Sequence, residues 1–532
     1  MINYPVRLIL FLLPGIFACH SPENENYPSH RYKLAEWPSS KLKPAMPLNS
    51  TGDILWANGL WNWGFTSNVQ VIHHTNFNAL PIKIESNGIP VNVKGGLYYP
   101  AYNLLEGETD SAKSNIACNP FQSGFPNPIA SYVAPESSIW GPINGNHSPT
   151  DSWTYRGSPV QVNWYGVDLG EKKFVTGVVL EFSDTQYQTK CHLPENYFLE
   201  YEGGQEWKKL PGQQYYPEKA TVGLNLITFP GILLQKIRVV FSPDTGGYSG
   251  LFRFQLQGEG SLLPLVIEKK MITHDDVLIS LLEITNPSWH FPLTVKIQAG
   301  TAWATEMEKN SRAGKITFFD QELYLLARSP QLNEGGLTEL NGQFELQPRE
   351  KLMVRLALAI AKNEKSARNR MKTWLNKFQP LKSHQIEYDA WFQHNIPYFN
   401  CSDGWLTHLY YLRWQNVRRN YYSPECGFLQ IPSFTAMRGE FPLFAATYFA
   451  GFSNLLQELR WLRHAHLGEN AFRLFTDNMN ANNQLPSVIF VNSIEYAETP
   501  EESLFKALYH FYLVQENRDF LKSQFRPMKK HF

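Results

Sequence analysis

The sequence predicts a multidomain chain that is β first and α second, and three observations carry this. Up to about residue 360, short alternating apolar runs such as Val69-Gln70-Val71-Ile72 and Ile82-Lys83-Ile84 are broken by Gly, Pro and Asn, the period-two pattern of strands. From about Asn363 the apolar positions take up helical spacing. The length, 532 residues, corresponds to roughly three to four domains at about 100–200 residues each.

The amino terminus reads as an export signal. Arg7 precedes an apolar run from Leu8 to Phe17 that is interrupted only by Pro14 and Gly15. A run of this length is too short for a hydrocarbon core of about 30 Å, so it matches a signal-peptide core and not a membrane span. It ends in Ile16-Phe17-Ala18-Cys19, which resembles a bacterial lipobox. On that reading residues 1–18 are removed and Cys19 is acylated, which anchors the chain to a membrane at the periplasmic face or cell surface. The alternative is an ordinary signal peptide with a chance cysteine. No later stretch is apolar enough to span a membrane. Residues 19–51, rich in Pro, Ser and Asn, read as a tether.

Lys+Arg and Asp+Glu both number 48 and no basic run occurs, which excludes a nucleic-acid partner, since that needs a basic footprint. Aromatics are abundant at 14% of residues; flat rings suit stacking on sugars, although most serve as core. Besides Cys19 the chain has Cys118, Cys191, Cys401 and Cys426. In an exported protein these form two disulfides, Cys118–Cys191 with Cys401–Cys426 as the preferred pairing, or remain buried thiols. None has the C-x-x-C spacing of a zinc site.

Between two strand-rich stretches, 52–119 and 260–362, lies a block with its own texture. Val167 and Leu169 alternate inward around Asp168, Gly170 ends that strand, and Val175-Thr176-Gly177-Val178 begins the next. Together with Trp153, Trp164-Tyr165-Gly166, Lys236-Ile237-Arg238-Val239 and the closing Leu251-Phe252-Arg253-Phe254-Gln255-Leu256-Gln257-Gly258, this block resembles a discoidin-like module, the coagulation-factor C-type, galactose-binding-like jelly roll, over residues 120–259. The resemblance implies sugar binding through loops at one end, with Trp140 and Tyr248 as stacking candidates and Trp153 as core. Some such modules hold a structural calcium; here only Asn144, Asn146 and Asp151 could supply ligands, and no other cofactor is implied. The flanking strands read as one sandwich that the module interrupts. His274-Asp275-Asp276 reads as a polar hairpin turn.

Residues 363–384 read as a linker helix, with Glu364 to Phe378 helical and ending at Pro380. Asp403 to Tyr421, Phe441 to His464 and Pro500 to Leu521 are further helices. The last opens with Thr499 at the N-cap, Pro500 and Glu502, and places Leu504, Leu508 and Phe511 on one face. No Ser-His-Asp elbow, phosphate-cradling glycine loop or H-E-x-x-H helix occurs. Tyr388-Asp389-Ala390-Trp391-Phe392, Asn395-Ile396-Pro397-Tyr398-Phe399-Asn400-Cys401, Tyr410-Tyr411-Leu412-Arg413-Trp414 and Glu458-Leu459-Arg460-Trp461-Leu462-Arg463, after a β-domain, resemble the six-hairpin (α/α)6-toroid glycosidases of the glycoside hydrolase family 63 and mannosylglycerate-hydrolase-like branch.

That resemblance implies a β-supersandwich, then the amino-terminal half of a toroid over residues 385–532. It implies inverting hydrolysis of an α-linked oligosaccharide by two carboxylates. A closed toroid needs twelve helices, more than this stretch holds, so both carboxylates are expected beyond Phe532, and no catalytic residue is assigned. Arg438 and Glu440, in a loop before a helix, and Arg460 and Trp461, on a helix, are the substrate-binding candidates. Glu458 is expected to pair with Arg460, and Glu425 and Asp477 to be surface carboxylates. A non-catalytic carbohydrate-binding lipoprotein that uses the discoidin-like module is the alternative function. The expected partners are an oligosaccharide or polysaccharide and, through Cys19, a membrane.

Overall fold

The structure is a computed structural model. It describes residues 70–71, 77–78, 82–87, 89–91 and 101–104, and 115–531 except 147, 149, 184–190, 243–246, 259–264, 275, 319–320, 334, 378, 420, 423–426, 435–445, 449–451, 491 and 497–502. Cys19, Glu425, Cys426, Arg438 and Glu440 lie outside the described residues, as do Thr499, Pro500 and Glu502.

The described chain is mostly β-sheet, followed by a helical region. The first strands are β1 (Gln70–Val71), β2 (Phe77–Asn78), β3 (Ile82–Ser86), β4 (Ile89–Val91) and β5 (Ala101–Leu104). The inserted block holds β6 (Asn127–Ala130), β7 (Trp153–Thr154), β8 (Asn163–Phe182), β9 (Tyr197–Glu202), β10 (Trp207–Lys209), β11 (Gln214–Tyr216), β12 (Leu224–Phe241) and β13 (Gly250–Gly258). Then come β14 (Val266–His274), β15 (Val277–Thr285), β16 (Leu293–Gly300), β17 (Glu306–Glu308), β18 (Ser311–Phe318), β19 (Gln321–Arg328), β20 (Glu339–Leu346) and β21 (Lys351–Ala361).

Strand pairing shows where the block is inserted. β5 and β14 are antiparallel neighbours with Leu104 opposite Val266, so the chain leaves one sheet at Leu104 and returns to the same rung at Val266. Likewise β3 pairs with β16, Ile84 facing Ile297. The strands on both sides of the block therefore build the same two sheets, ordered β17-β18-β19-β21-β15-β14-β5 and β20-β16-β3-β4.

Burial follows the strand period. Leu278, Leu282 and Ile284 of β15, Val354, Leu356, Leu358 and Ile360 of β21, and Leu323 and Leu325 of β19 face Ile84, Val295, Ile297 and Leu340 across the sandwich. The alternate residues Val277, Ile279, Ala357, Ala359, Ala361, Tyr324 and Leu326 point the other way, onto a helix. These strands are buried on both faces, which is why Leu352-Met353-Val354-Arg355-Leu356-Ala357-Leu358-Ala359-Ile360 reads as a nearly unbroken apolar run.

That helix is α1 (Glu364–Leu375), whose N-cap Asn363 accepts a hydrogen bond from Ser366 N, a cap worth about 1 kcal/mol. It lays Ala367, Met371, Trp374 and Leu375 on the sheet. The row Ala357, Ala359 and Ala361 is small enough to admit the Trp374 indole. The segment expected to link two domains is thus a third layer of the first one. Its turn partner is the β14–β15 hairpin, where Asp276 at φ 59° binds Arg370 at 2.7 Å.

The inserted block is an eight-stranded sheet that curls on itself. The expectation that Gly170 ends a strand is corrected: β8 runs without a break for 20 residues. Gly170, at φ +78°, bends it, and a Cβ there would lie 2.6 Å from Phe125. The first half of β8 pairs with β6 and the end of β12, and its second half pairs with β13 and the start of β12. The bend brings the far ends together, so that Phe182 meets Phe241 at 6.3 Å. Trp153, Tyr165, Val167, Leu180, Ile237 and Phe254 fill the inside. On the outside Val179 and Leu226 pack on Val266 of the host sandwich.

The helical region contains α2 (Pro380–Asn395), α3 (Gly404–Arg419), α4 (Phe452–Leu459), α5 (Ala465–Thr476), α6 (Ser503–Gln515) and α7 (Arg518–His531), with short strands β22 (Tyr421–Tyr422), β23 (Ser433–Phe434), β24 (Ala446–Tyr448), β25 (Pro486–Phe490) and β26 (Ile494–Tyr496) between them. Two helix expectations are corrected. The stretch 441–464 holds strand β24 and the shorter α4, because β24 pairs with β25. The stretch 500–521 is two helices, broken where Glu516 takes φ +53°. Leu504, Leu508 and Phe511 are all buried, as their spacing requires. Trp405, Leu409, Tyr509, Leu513 and Phe525 are exposed on α3, α6 and α7. No described helix is long and apolar enough to cross a membrane.

Candidate functional site

The inserted block has one end where the chain enters and leaves and an opposite end where β7 meets β13. At the first the chain enters and leaves side by side: Ile116 N donates to Leu256 O at 3.1 Å, and Asn115 Oδ1 accepts from Leu256 N at 2.9 Å. At the opposite end β7 meets the start of β13, with Thr154 opposite Gly250. There His192 N donates to Tyr248 O at 2.9 Å, and Ser249 Oγ donates to His192 O at 2.8 Å. Gly247 permits this approach, because a Cβ at that position would lie 2.8 Å from the His192 ring.

Tyr248 is half-buried at this end. The Arg156 guanidinium lies 6.0 Å from its ring centroid, and Arg156 Nη1 is 3.3 Å from Glu136 Oε1. Partial burial pushes the Tyr248 phenol above its ordinary value, so it is a neutral hydroxyl at physiological pH. The floor is rigid. Trp153 is fully buried, donates from Nε1 to Tyr132 O at 2.8 Å and packs on Tyr165 at 5.2 Å. Tyr165 Oη in turn donates to Ile139 O at 2.9 Å, which ties down the loop after β6. An aromatic ring, an anion and a cation thus share a rim fixed from below.

Trp140 is half-buried against the same core, at the other end of β7. The residue after it, Gly141, is pressed on Asp151, where a Cβ would be 2.1 Å from the carbonyl oxygen. Trp140 and Tyr248 therefore flank opposite ends of β7. Asn144 donates to the Asp151 carboxylate through its amide, and its carbonyl accepts from Asn146 N at 2.8 Å. The calcium candidates Asn144, Asn146 and Asp151 form a hydrogen-bonded brace among themselves. No cluster of three or more His, Cys, Asp and Glu side chains able to hold a metal occurs among the described residues.

On the outer face of the block, Arg238 lies 4.8 Å from the Trp164 ring and 4.1 Å from the Trp207 ring while binding Glu200 at 2.8 Å. This stack staples β8, β9, β10 and β12 together. Cys118, Cys191 and Cys401 are thiols in the structure.

In the helical region Arg460 and Trp461 lie in the turn after α4 and not on the helix. Glu458 pairs with Arg413 of α3, with Arg413 Nε 3.1 Å from Glu458 Oε1, so the expected Glu458–Arg460 pair does not form. The Arg460 guanidinium instead lies 4.9 Å from the Trp461 ring centroid. Gln515 Nε2 of α6 fixes the turn by donating to Arg460 O at 2.6 Å and Leu462 O at 2.8 Å. Asp477 caps α5, its N–H bonded to Arg473 O at 2.8 Å, and is exposed as expected.

Sequence reasoning missed Glu136, Arg156 and His192 beside Tyr248, and His510 near Arg460. They are far apart in the chain and carry no spacing signal.

No protein-family model matches the chain, and no curated protein is similar to it. Solved structures are similar to parts of it. A chain from the Streptococcus pneumoniae beta-galactosidase matches at 16% identity, covering 27% of this chain and 98% of that one, with a TM-score of 0.25. Chitosan-binding module 2 of a Paenibacillus chitosanase/glucanase, in complex with chitotriose, matches at 19% identity over 27% of this chain and all of that one, with a TM-score of 0.21. A candidate kojibiose phosphorylase from the human microbiome matches at 11% identity over 48% of this chain and 40% of that one, with a TM-score of 0.36.

Proposed function

We propose that this chain is a carbohydrate-active protein whose inserted block, a discoidin-like jelly roll, captures an oligosaccharide at the end that carries Tyr248. The observation that carries the reading is the half-buried Tyr248 ring beside the Arg156–Glu136 pair on a rigid aromatic floor. A pyranose offers an apolar C–H face and equatorial hydroxyls. A ring can take the first, and a cation and a carboxylate fixed beside it can take the second. The helical region is read as the first half of a glycosidase-class toroid. Residues 1–18 are read as a lipoprotein signal, with acyl chains on Cys19 holding the protein at a membrane.

Titration calorimetry of the full chain against neutral oligosaccharides tests the binding. Tyr248→Ala should weaken it about five- to thirtyfold, a loss of about 1–2 kcal/mol for one stacked ring. Unchanged affinity in the variant would sink this assignment. Hydrolysis rests on the resemblance to toroid glycosidases. No catalytic carboxylate is assigned in this chain, so turnover is not expected of it; product formed from α-linked oligosaccharides by the full chain, with its anomer followed by NMR, would overturn that and place the carboxylate pair within these residues.

A further inference from the structure

We propose that His290 is a pH-released clasp between the host sandwich and the inserted block: its neutral ring holds the two together, and its protonation loosens the joint.

The host builds the arm of the clasp rigidly. Asn286, the residue after β15, is fully buried. It donates from Nδ2 to Phe291 O at 2.8 Å and to Leu346 O at 3.0 Å, and its Oδ1 accepts from Ser288 N at 3.0 Å. Ser288 Oγ accepts from His290 N at 3.1 Å and from Phe291 N at 2.9 Å. The Arg349 guanidinium lies 4.6 Å from the Trp289 ring centroid. A buried amide with these bonds is costly to strip, so residues 286–291 keep their shape and hold His290 against the block.

The block supplies the matching half. The β12–β8 ladder is interrupted between Thr228 and Ile232, and the Gly231 N–H within that irregularity is turned to the host. It donates to His290 Nε2 at 3.1 Å. Glycine is required here, because a Cβ at 231 would run into the Phe174 ring, which stands 6.2 Å from the imidazole. At Gly212 a Cβ would lie 2.8 Å from Pro230 and 3.9 Å from the Trp289 ring. The arm therefore meets the block through two adjacent side chains, Trp289 and His290.

The donor fixes the state of the ring. A backbone N–H cannot accept, so Nε2 is the bare nitrogen of a neutral imidazole. A proton on Nε2 sets donor against donor and removes the bond. Imidazole is the side chain that changes charge between about pH 5 and 8, and His290 is exposed, so protons reach it without prior opening. Among the described residues, no group packed against the ring rescues its charged form. The β8 bend brings Glu171, Lys172 and Lys173, of which Glu171 pairs with Lys173 at 3.5 Å. From β12 come Pro230 and Gly231, and on the host side Arg349 lies behind Trp289. Phe174 stands just beyond the distance of about 6 Å at which a ring attracts a cation. What remains is the apolar contact of Val179 and Leu226 with Val266, which does not depend on pH and serves as the pivot.

Hydrogen–deuterium exchange of the full chain at pH 7.5 and pH 5.5, read by mass spectrometry and corrected for the intrinsic pH dependence of exchange, tests the clasp. Protection of the peptide that contains Gly231 should fall about two- to tenfold at the lower pH, the range set by one hydrogen bond. The core peptide around Trp153 should not change. His290→Gln offers an amide oxygen that accepts at every pH, and it should keep the protection at both. His290→Phe keeps a ring beside Phe174 without an acceptor, and it should show the low protection at both. Equal wild-type protection at the two pH values overturns the clasp, as does a fall that survives in His290→Gln. An equal fall at Trp153 also overturns it, because the loosening would then be general. So does His290→Phe protected as well as wild type at pH 7.5, since the bond would then hold nothing.

Discussion

Trp374→Ala tests whether α1 belongs to the core of the sandwich. The indole is 1% exposed and rests on a sheet face whose facing residues, Ala357, Ala359 and Ala361, are too small to close over the space it leaves. Truncating a buried Trp to Ala costs about 3–5 kcal/mol when the site cannot collapse. Rigid strands paired on both sides of β21 hold this site open. Domains are stable by only about 5–15 kcal/mol, so the loss is about a fifth of the total or more. With a urea slope of about 2 kcal/mol per M, the midpoint of the sandwich transition should fall by about 1.5–2.5 M. Far-UV circular dichroism is the assay, with Trp374→Phe as the control that keeps most of the buried area. Faster proteolysis between residues 362 and 380 should accompany the shift. A midpoint change under about 0.5 M would refute the reasoning, because α1 would then be a linker and not a layer.

Two further predictions concern other parts of the fold. Gly166→Ala should destabilise the inserted block by about 1–3 kcal/mol, since the new Cβ would lie 2.4 Å from Ile237 O and 2.7 Å from Arg238 Cβ; a thermal melt matching wild type would show that the β8–β12 rung is not as tight as drawn. His464 is exposed, and its pKa is lowered from the ordinary value by partial desolvation first and then by its neighbours His466, His394 and Arg463, so its neutral form is the one the fold favours. Its contribution to stability is present above about 6.5 and is lost as the pH falls through the lowered folded-state value. Because the side chain is solvent-screened the effect is small: urea midpoints should drop slightly from pH 7.5 towards pH 5, and His464→Gln should remove part of that drop; a slope identical to wild type would refute it.

What the sequence determines by itself is local. The period-two runs before residue 360 and the helical spacing after 363 fix the β-then-α order, because a strand or helix with one buried face must repeat its apolar residues at its own period. Leu504, Leu508 and Phe511 are legible for that reason, as is the polar turn at Asp276. Tertiary structure decides whatever depends on a partner distant in the chain. Gly170 reads as a strand end, and only Phe125 packed beneath it shows a bend in one long strand. The run 441–464 reads as a helix, and only pairing with Pro486–Phe490 makes part of it a strand. Tyr248 and Arg460 are visible as residues, whereas Glu136 and Arg156 beside the one and His510 near the other are not. Their approach is set by strand register and by helix packing over separations of about fifty residues or more, and no spacing rule in the sequence reaches that far.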